Sequence, residues 1–183
     1  MISDSLALAR QQVLVPAGLG ENDLHQALAC LLGHAVDSGD LYFQAHRAES
    51  WGLEDGQVKN ASHTMQQGVG IRAVSGEKTG FAYSDEIMLP ALLEAATAAR
   101  AIAQHGGGYQ PIQFSHAAPC ARLYEPVDPL TTLSAEAKVQ LLEAVDAEAR
   151  RQDPRVKQVM VGLAASQDTI LVVSSDGGLA GDV

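Results

Sequence analysis

The sequence predicts an α+β fold, with an antiparallel sheet packed with three helices. The sheet is expected as a four-stranded meander plus C-terminal hairpin strands. Three observations carry this. Apolar residues recur at helical spacing in three separate stretches. Between the first two lies a block in which apolar and polar residues alternate, as in half-buried strands. Asp-Gly pairs at 55–56 and 176–177 sit where strands would turn back, and Asp-Gly is a strong short-range hairpin signal.

Each element has its own reason. Residues 1–20 are weakly patterned and end in Pro16, Gly18 and Gly20, so they read as a mobile arm with one helical turn. Residues 23–37 carry Leu24, Ala27, Leu28, Leu31, Leu32 and Ala35, an amphipathic stripe with Asn22 as N-cap and Gly39 as stop. Leu41, Phe43 and Ala45 then alternate with Tyr42, Gln44 and His46, and the same parity reaches Trp51 and Leu53. A polar return strand is expected at 57–66. A third strand has Val69, Ile71 and Ala73 on one face. After a turn at Ser75-Gly76-Glu77-Lys78, a fourth runs from Thr79 to Tyr83, with Phe81 and Tyr83 on one face.

Pro90 suits a first helical turn, and Leu92, Leu93, Ala96, Ala99 and Ala103 extend that helix to about residue 104. Gly106-Gly107-Gly108 ends it. Residues 106–131 hold four of the seven prolines and read as an irregular connection. Ser134 caps a third helix with Leu141, Leu142, Val145 and Ala149 facing inward, and Arg150 and Arg151 complement its C-terminal dipole. Strands at 156–165 and 169–175 follow. The expected organisation is an arm over 1–20, one α+β domain over 21–175, and over 176–183 the start of a truncated hairpin strand. A strand begun but not completed leaves backbone groups unpaired, so the chain reads as a fragment of a longer protein.

Composition narrows the function. The chain has 183 residues, a formal net charge of −10 and only 12 Lys and Arg, scattered along its length. Phosphate backbones reward clustered cations, so neither nucleic acid nor an anionic membrane surface is an expected partner. Mean hydropathy is +0.01, and no run approaches the roughly 18 apolar residues of a membrane span. The first residues lack the basic and apolar regions of a signal peptide, which points to the cytoplasm. Cys30, in a helix, and Cys120, in a loop, form no C-x-x-C and read as idle thiols.

The candidate motifs are weak. Gly68-Val69-Gly70-Ile71-Arg72-Ala73 matches a G-x-G-x-x-A dinucleotide pattern, but that motif needs a helix after its glycines and here a Val/Ile alternation continues. Glycines within a strand more often permit close approach of another group. Gly68, Gly70 and Arg72 share the face opposite Val69 and Ile71, and are the candidate substrate or partner contact. The alternative for Arg72 is an internal ion pair with Glu54 or Asp85. His25, His34, His46, His63, His105 and His116 form no H-E-x-x-H or H-E-x-x-x-H, so no metal ligand and no catalytic residue is assigned. Glu49, Glu54 and Asp55 cluster at the first hairpin, where a solvated acidic edge is expected. Ser50, Ser62, Ser75 and Ser84 lack a nucleophile-elbow context.

From residue 39 onward the sequence is similar to the TldD branch of the TldD/PmbA family. The segments are Gly39-Asp40-Leu41-Tyr42-Phe43-Gln44, Glu49-Ser50-Trp51, Leu53-Glu54-Asp55, the long run from Gln67 to Tyr83 and, more weakly, Val127-Asp128-Pro129-Leu130. The resemblance implies a cytoplasmic zinc metallopeptidase acting on small or unfolded polypeptides. It also implies a heterodimer with a PmbA/TldE-type subunit. An older label for the family is modulator of DNA gyrase; the acidic composition gives no support to direct DNA binding. The family's H-E-x-x-x-H lies in the later half of the full chain, and no position here matches it. The resemblance therefore assigns this chain a non-catalytic N-terminal module, inactive alone, with zinc in the missing region. That module would wall the substrate chamber and the subunit interface. The alternative is a free-standing module that binds a peptide or protein by adding it to a sheet edge.

Overall fold

The computed structural model describes residues 4–33, 36–103, 115–116 (backbone only) and 125–183. The fold is α+β, as expected. Its sheet has the order β3-β2-β1-β5-β6-β4. The strands are β1 (Ser38–Glu54), β2 (Gln57–Ser75), β3 (Lys78–Ser84), β4 (Ser115–His116), β5 (Met160–Ser174) and β6 (Gly178–Asp182). β2–β3 and β5–β6 pair antiparallel, whereas the two-residue β4 lies parallel to β6. The described residues form four helices: α1 (Asp4–Val13), α2 (Glu21–Leu32), α3 (Leu89–Ala103) and α4 (Ala135–Gln152).

The meander has three strands where four are expected. The polar segment 57–66 and the apolar segment 69–73 are one strand, β2. Likewise 156–165 and 169–175 merge into β5. In both cases a polar stretch reads as a break in the hydrophobic pattern. A backbone paired by its neighbours needs no apolar side chain to remain a strand. The turn at 55–56 forms as expected, with Asp55 at φ +49° and Gly56 at φ +74°.

The chain divides into two compact units. The first comprises Met1–Ala45, Gln66–Glu125 and Asp168–Val183; the second comprises His46–Met65 and Pro126–Gln167.

In the first unit, alternation along the strands buries Leu41, Phe43, Val69, Ile71, Leu171 and Val173. They form one cluster with Leu24, Leu28 and Leu31 of α2 and Leu92, Ala96 and Ala99 of α3. α3 packs on β3 through small residues. A Cβ added at Gly80 would overlap the Ala99 carbonyl oxygen, so a side chain there would push the helix off the strand. The cap of α2 is Gly20 rather than Asn22: the Gly20 N–H donates to Asp23 Oδ2 at 2.8 Å. The helix stops at Leu32, ahead of the expected Gly39, because Gly33 takes φ +48°.

Residues 4–20 carry more structure than their pattern predicts. Helix α1 buries Leu6, Ala9 and Val13 at an i, i+3, i+7 spacing. It packs on β6, and Gln12 Oε1 accepts a hydrogen bond of 2.5 Å from the Thr169 hydroxyl.

In the second unit, Ser134 caps α4 as expected, its hydroxyl accepting from the Ala137 N–H at 3.2 Å. The inward face differs. Leu141 and Val145 are exposed, and the buried stripe is Lys138, Leu142 and Asp146. Lys138 turns inward to the Glu49 carboxylate and the Leu130 carbonyl, and Asp146 pairs with Arg150 one turn along the helix.

Candidate functional site

Gly68, Gly70 and Arg72 lie on the open face of the first unit's sheet, on the side opposite the buried Val69 and Ile71. The β2–β3 register places Gly70 opposite Tyr83 and Arg72 opposite Phe81. Phe81 is 57% exposed and Tyr83 80%. A Cβ at Gly70 would meet Phe81 Cζ at 3.0 Å, and one at Gly68 would meet the Ser84 carbonyl oxygen at 2.9 Å. Glycine at 70 therefore lets the Phe81 ring lie across the strand.

Arg72 pairs with Asp40 rather than with Glu54 or Asp85. Its Nε and Nη2 both approach Asp40 Oδ2, at 2.7 and 2.6 Å. The Arg72 side chain is 56% exposed against 19% for Asp40. The carboxylate thus holds the guanidinium while leaving much of it open. A planar cation in this setting can take a carboxylate or a backbone carbonyl. The G-x-G-x-x-A stretch lies wholly within β2, with no helix after it.

Of the acidic cluster at the first hairpin, Glu49 is withdrawn from solvent, whereas Glu54 is half-buried and Asp55 stays exposed, as expected of an edge. Each acid is used within the second unit. Glu49 Oε1 meets Lys138 Nζ at 2.6 Å, with both side chains nearly buried, and has no hydrogen-bonding partner besides this ion pair among the described residues. Lys138 also donates to the Leu130 carbonyl at 2.7 Å. Glu54 accepts from Gln158 at 2.6 Å. Asp55 Oδ1 accepts from the Val159 N–H at 3.2 Å and from Arg150 Nη2 at 2.5 Å. The Val159 N–H and then the Arg150 guanidinium hold the Asp55 carboxyl below its ordinary pKa. These acids hold α4 and the segment before β5 to the hairpin.

The second unit also has an open depression of about 370 Å³. Ala48 and Ser50 of β1, Ser62 and Thr64 of β2, and Ala164 and Ser166 of β5 line it. The hydroxyls of Ser50 and Ser62 bond to one another at 2.8 Å. His25 lies on α2, His46 on β1 and His63 on β2. His34, His105 and Cys120 lie outside the described residues, and only the backbone of His116 is described. Among the described residues, no three His, Cys, Asp or Glu side chains converge as a metal site. No helix among them is long and apolar enough to cross a membrane.

Comparison with known proteins decides the family. Residues 39–103 match the PmbA/TldA metallopeptidase domain 1, and residues 128–183 match the PmbA/TldA metallopeptidase central domain. The chain belongs to the PmbA/TldD metallopeptidase family. It is 42% identical over 173 residues to a metalloprotease TldD homolog of Haemophilus influenzae, a match covering 93% of this chain and 36% of that relative. A second TldD homolog, from Buchnera aphidicola subsp. Schizaphis graminum, is 38% identical over 181 residues, covering 98% of this chain and 37% of the relative. The chain therefore spans little more than a third of the length of these relatives. Two solved structures share the fold at low identity. One is described as a modulator of DNA gyrase from Bacteroides thetaiotaomicron (TM-score 0.67, 14% identity, 87% of this chain and 38% of that one). The other is TldE from Thermococcus kodakarensis (TM-score 0.64, 18% identity, 88% and 36%).

Proposed function

We propose that this chain is the N-terminal, non-catalytic part of a TldD-type metallopeptidase subunit acting on small or unfolded polypeptides in the cytoplasm. The observation that carries the reading is the 42% identity to a TldD homolog across nearly the whole chain. Zinc, in this reading, takes its ligands from the remaining two thirds of the enzyme. The described residues of this chain do not fit it, since they bring no ligand set together. The partner is a PmbA/TldE-type subunit, and the module helps to wall the substrate chamber and the subunit interface.

Within the module, Gly68, Gly70 and Arg72 are the contact surface. Their support is the open face they share with Phe81 and Tyr83, and the exposed guanidinium braced by Asp40. A polypeptide or partner segment laid on this face would offer carbonyls or a carboxylate to Arg72 and apolar groups to the rings.

The test compares two preparations. The 183-residue chain, purified alone, is expected neither to cleave an unfolded polypeptide nor to bind zinc stoichiometrically. The full-length subunit, co-expressed with a PmbA/TldE-type partner, is expected to cleave it and to lose activity to a chelator. One-to-one zinc binding with peptide cleavage by the short chain overturns the reading.

A further inference from the structure

The second unit exposes more of its large apolar side chains than it buries. It buries Leu53, Leu130, Leu142 and Val159, and leaves seven others exposed. In the first unit the balance is the reverse.

On α4 the exposed apolar residues share one face. Ala137, Leu141 and Val145 follow one another at a spacing of four, and Ala144 lies beside them. Leu141 is 45% exposed and Val145 46%, and Ala144 is exposed as well. Such spacing is the pattern of a stripe meant for burial. Yet the helix packs on its own unit through Lys138, Leu142 and Asp146, about 100° further round its axis. No charged side chain interrupts the exposed face between the Ser134 cap and Glu148, which pairs with Arg151 at 2.7 Å.

We infer that this face of α4 seats an apolar segment from the part of the full-length subunit that lies outside this chain. The inference rests on the reading of the chain as one part of a longer TldD-type subunit. Two observations select that occupant. The first is length. The Haemophilus and Buchnera relatives match 93% and 98% of this chain, but the matches cover only 36% and 37% of the relatives themselves. α4 lies in the match to the family's central domain, residues 128–183, and a central domain has neighbours on both sides.

The second is size. From Ala137 to Val145 the face runs for about 12 Å. A stable complex between separate polypeptides buries roughly 800 Å² on each partner, far more than this face offers. A segment of the same polypeptide needs no such area, because its tether supplies a high effective concentration. The face therefore suits a contact within one polypeptide better than a second copy or a separate subunit.

The test is maleimide labelling of single introduced cysteines, read by mass spectrometry so that Cys30 and Cys120 are scored apart. Leu141→Cys probes the face. Glu143→Cys, exposed on the far side of the helix, is the control. In the 183-residue chain the two positions should label at similar rates. In the full-length subunit without its partner, residue 141 should label about tenfold more slowly, with residue 143 unchanged. Val145→Asp should leave the thermal midpoint of the short chain unchanged and lower that of the full-length subunit. Equal labelling of residue 141 in the two forms overturns the inference, and so does a Val145→Asp change that spares both. Labelling at 141 that slows as the short chain is concentrated marks a second copy and overturns it. So does slowing that appears only when a PmbA/TldE-type subunit is added. Zinc content and peptide cleavage of the same full-length subunit report separately on the peptidase reading. An unprotected residue 141 in an active, zinc-loaded enzyme counts against this contact alone.

Discussion

The two units of the chain are held by different forces. The first has an apolar interior: its buried cluster joins α1, α2 and α3 to the inward faces of β1, β2 and β5 through leucine, valine, alanine and Phe43. The second buries only a few apolar residues, among them Leu53, Leu130 and Leu142, beside Lys138, Asp146 and Gln167. Ionic contacts hold it: Lys138 with Glu49, Arg47 with Asp128 at 2.8 Å, and Arg150 with both Asp146 and Asp55. Apolar burial is non-directional and insensitive to pH. A buried ion pair is directional, and losing one partner strands the other. The two units should therefore fail in different ways.

The sharpest contrast comes from one deletion in each. Phe43→Ala leaves a cavity in the first unit and should cost about 3–5 kcal/mol. Lys138→Met strands Glu49 and should also cost about 3–5 kcal/mol. Rescue separates them. Adding Glu49→Leu to Lys138→Met should recover most of the loss, since an apolar pair can replace a buried ionic one. Denaturant unfolding reads both. The single tryptophan, Trp51, lies in the second unit and reports on it by fluorescence. If Lys138→Met costs less than about 1 kcal/mol, the ionic account of this unit is wrong.

Acid should divide the units next. Five carboxyls among the described residues are held below their ordinary pKa: Asp55, Glu136, Glu148, Asp153 and Asp176. All but Asp176 lie in the second unit. A carboxyl depressed in the folded state adds stability that is complete above its unfolded pKa. That stability is lost as pH falls through the lower, folded value. For Asp55, whose ordinary value is 3.8, the loss begins below about pH 4. The far-ultraviolet helix signal, to which α4 of the second unit and α1, α2 and α3 of the first all contribute, should fall in two steps, the one at higher pH together with the change in Trp51 fluorescence. Coincident transitions would erase the distinction.

Two smaller effects concern the open face of the first unit. Gly70→Val must displace the Phe81 ring and should cost about 1 kcal/mol, the low end for overpacking, because that ring is more than half exposed. Arg72→Met removes an exposed pair and should change the stability of the chain by less than about 1 kcal/mol. In the full-length enzyme with its partner, the same substitution should weaken peptide cleavage or assembly. A markedly destabilised chain with normal turnover and assembly would make Arg72 a structural residue only.

Local signals were legible in the sequence. The hairpin turn at 55–56, the Ser134 cap, the alanine face of α3 and the shared face of Gly68, Gly70 and Arg72 each depend on residues a few positions apart. What escaped depends on distant partners. Asp40, which braces Arg72, lies 32 residues earlier with no pattern linking the two. The inward face of α4 inverted because apolar spacing favours Leu141 and Val145, while Glu49 on another element draws Lys138 inside. Strand continuity through the polar middles of β2 and β5 was hidden for a related reason. Pairing by neighbouring strands holds a backbone that its own side chains do not.

The seat of α1 on β6 has a consequence for biosynthesis. Leu6, Ala9 and Val13 leave the ribosome long before the strand they pack against, which ends at Asp182. At ordinary elongation rates the helix waits roughly 10–30 s for that strand to emerge. Until then its apolar stripe is open to chaperones and to other nascent chains. The first unit is thus closed by two segments far apart in the sequence, and it cannot close until the later one has emerged.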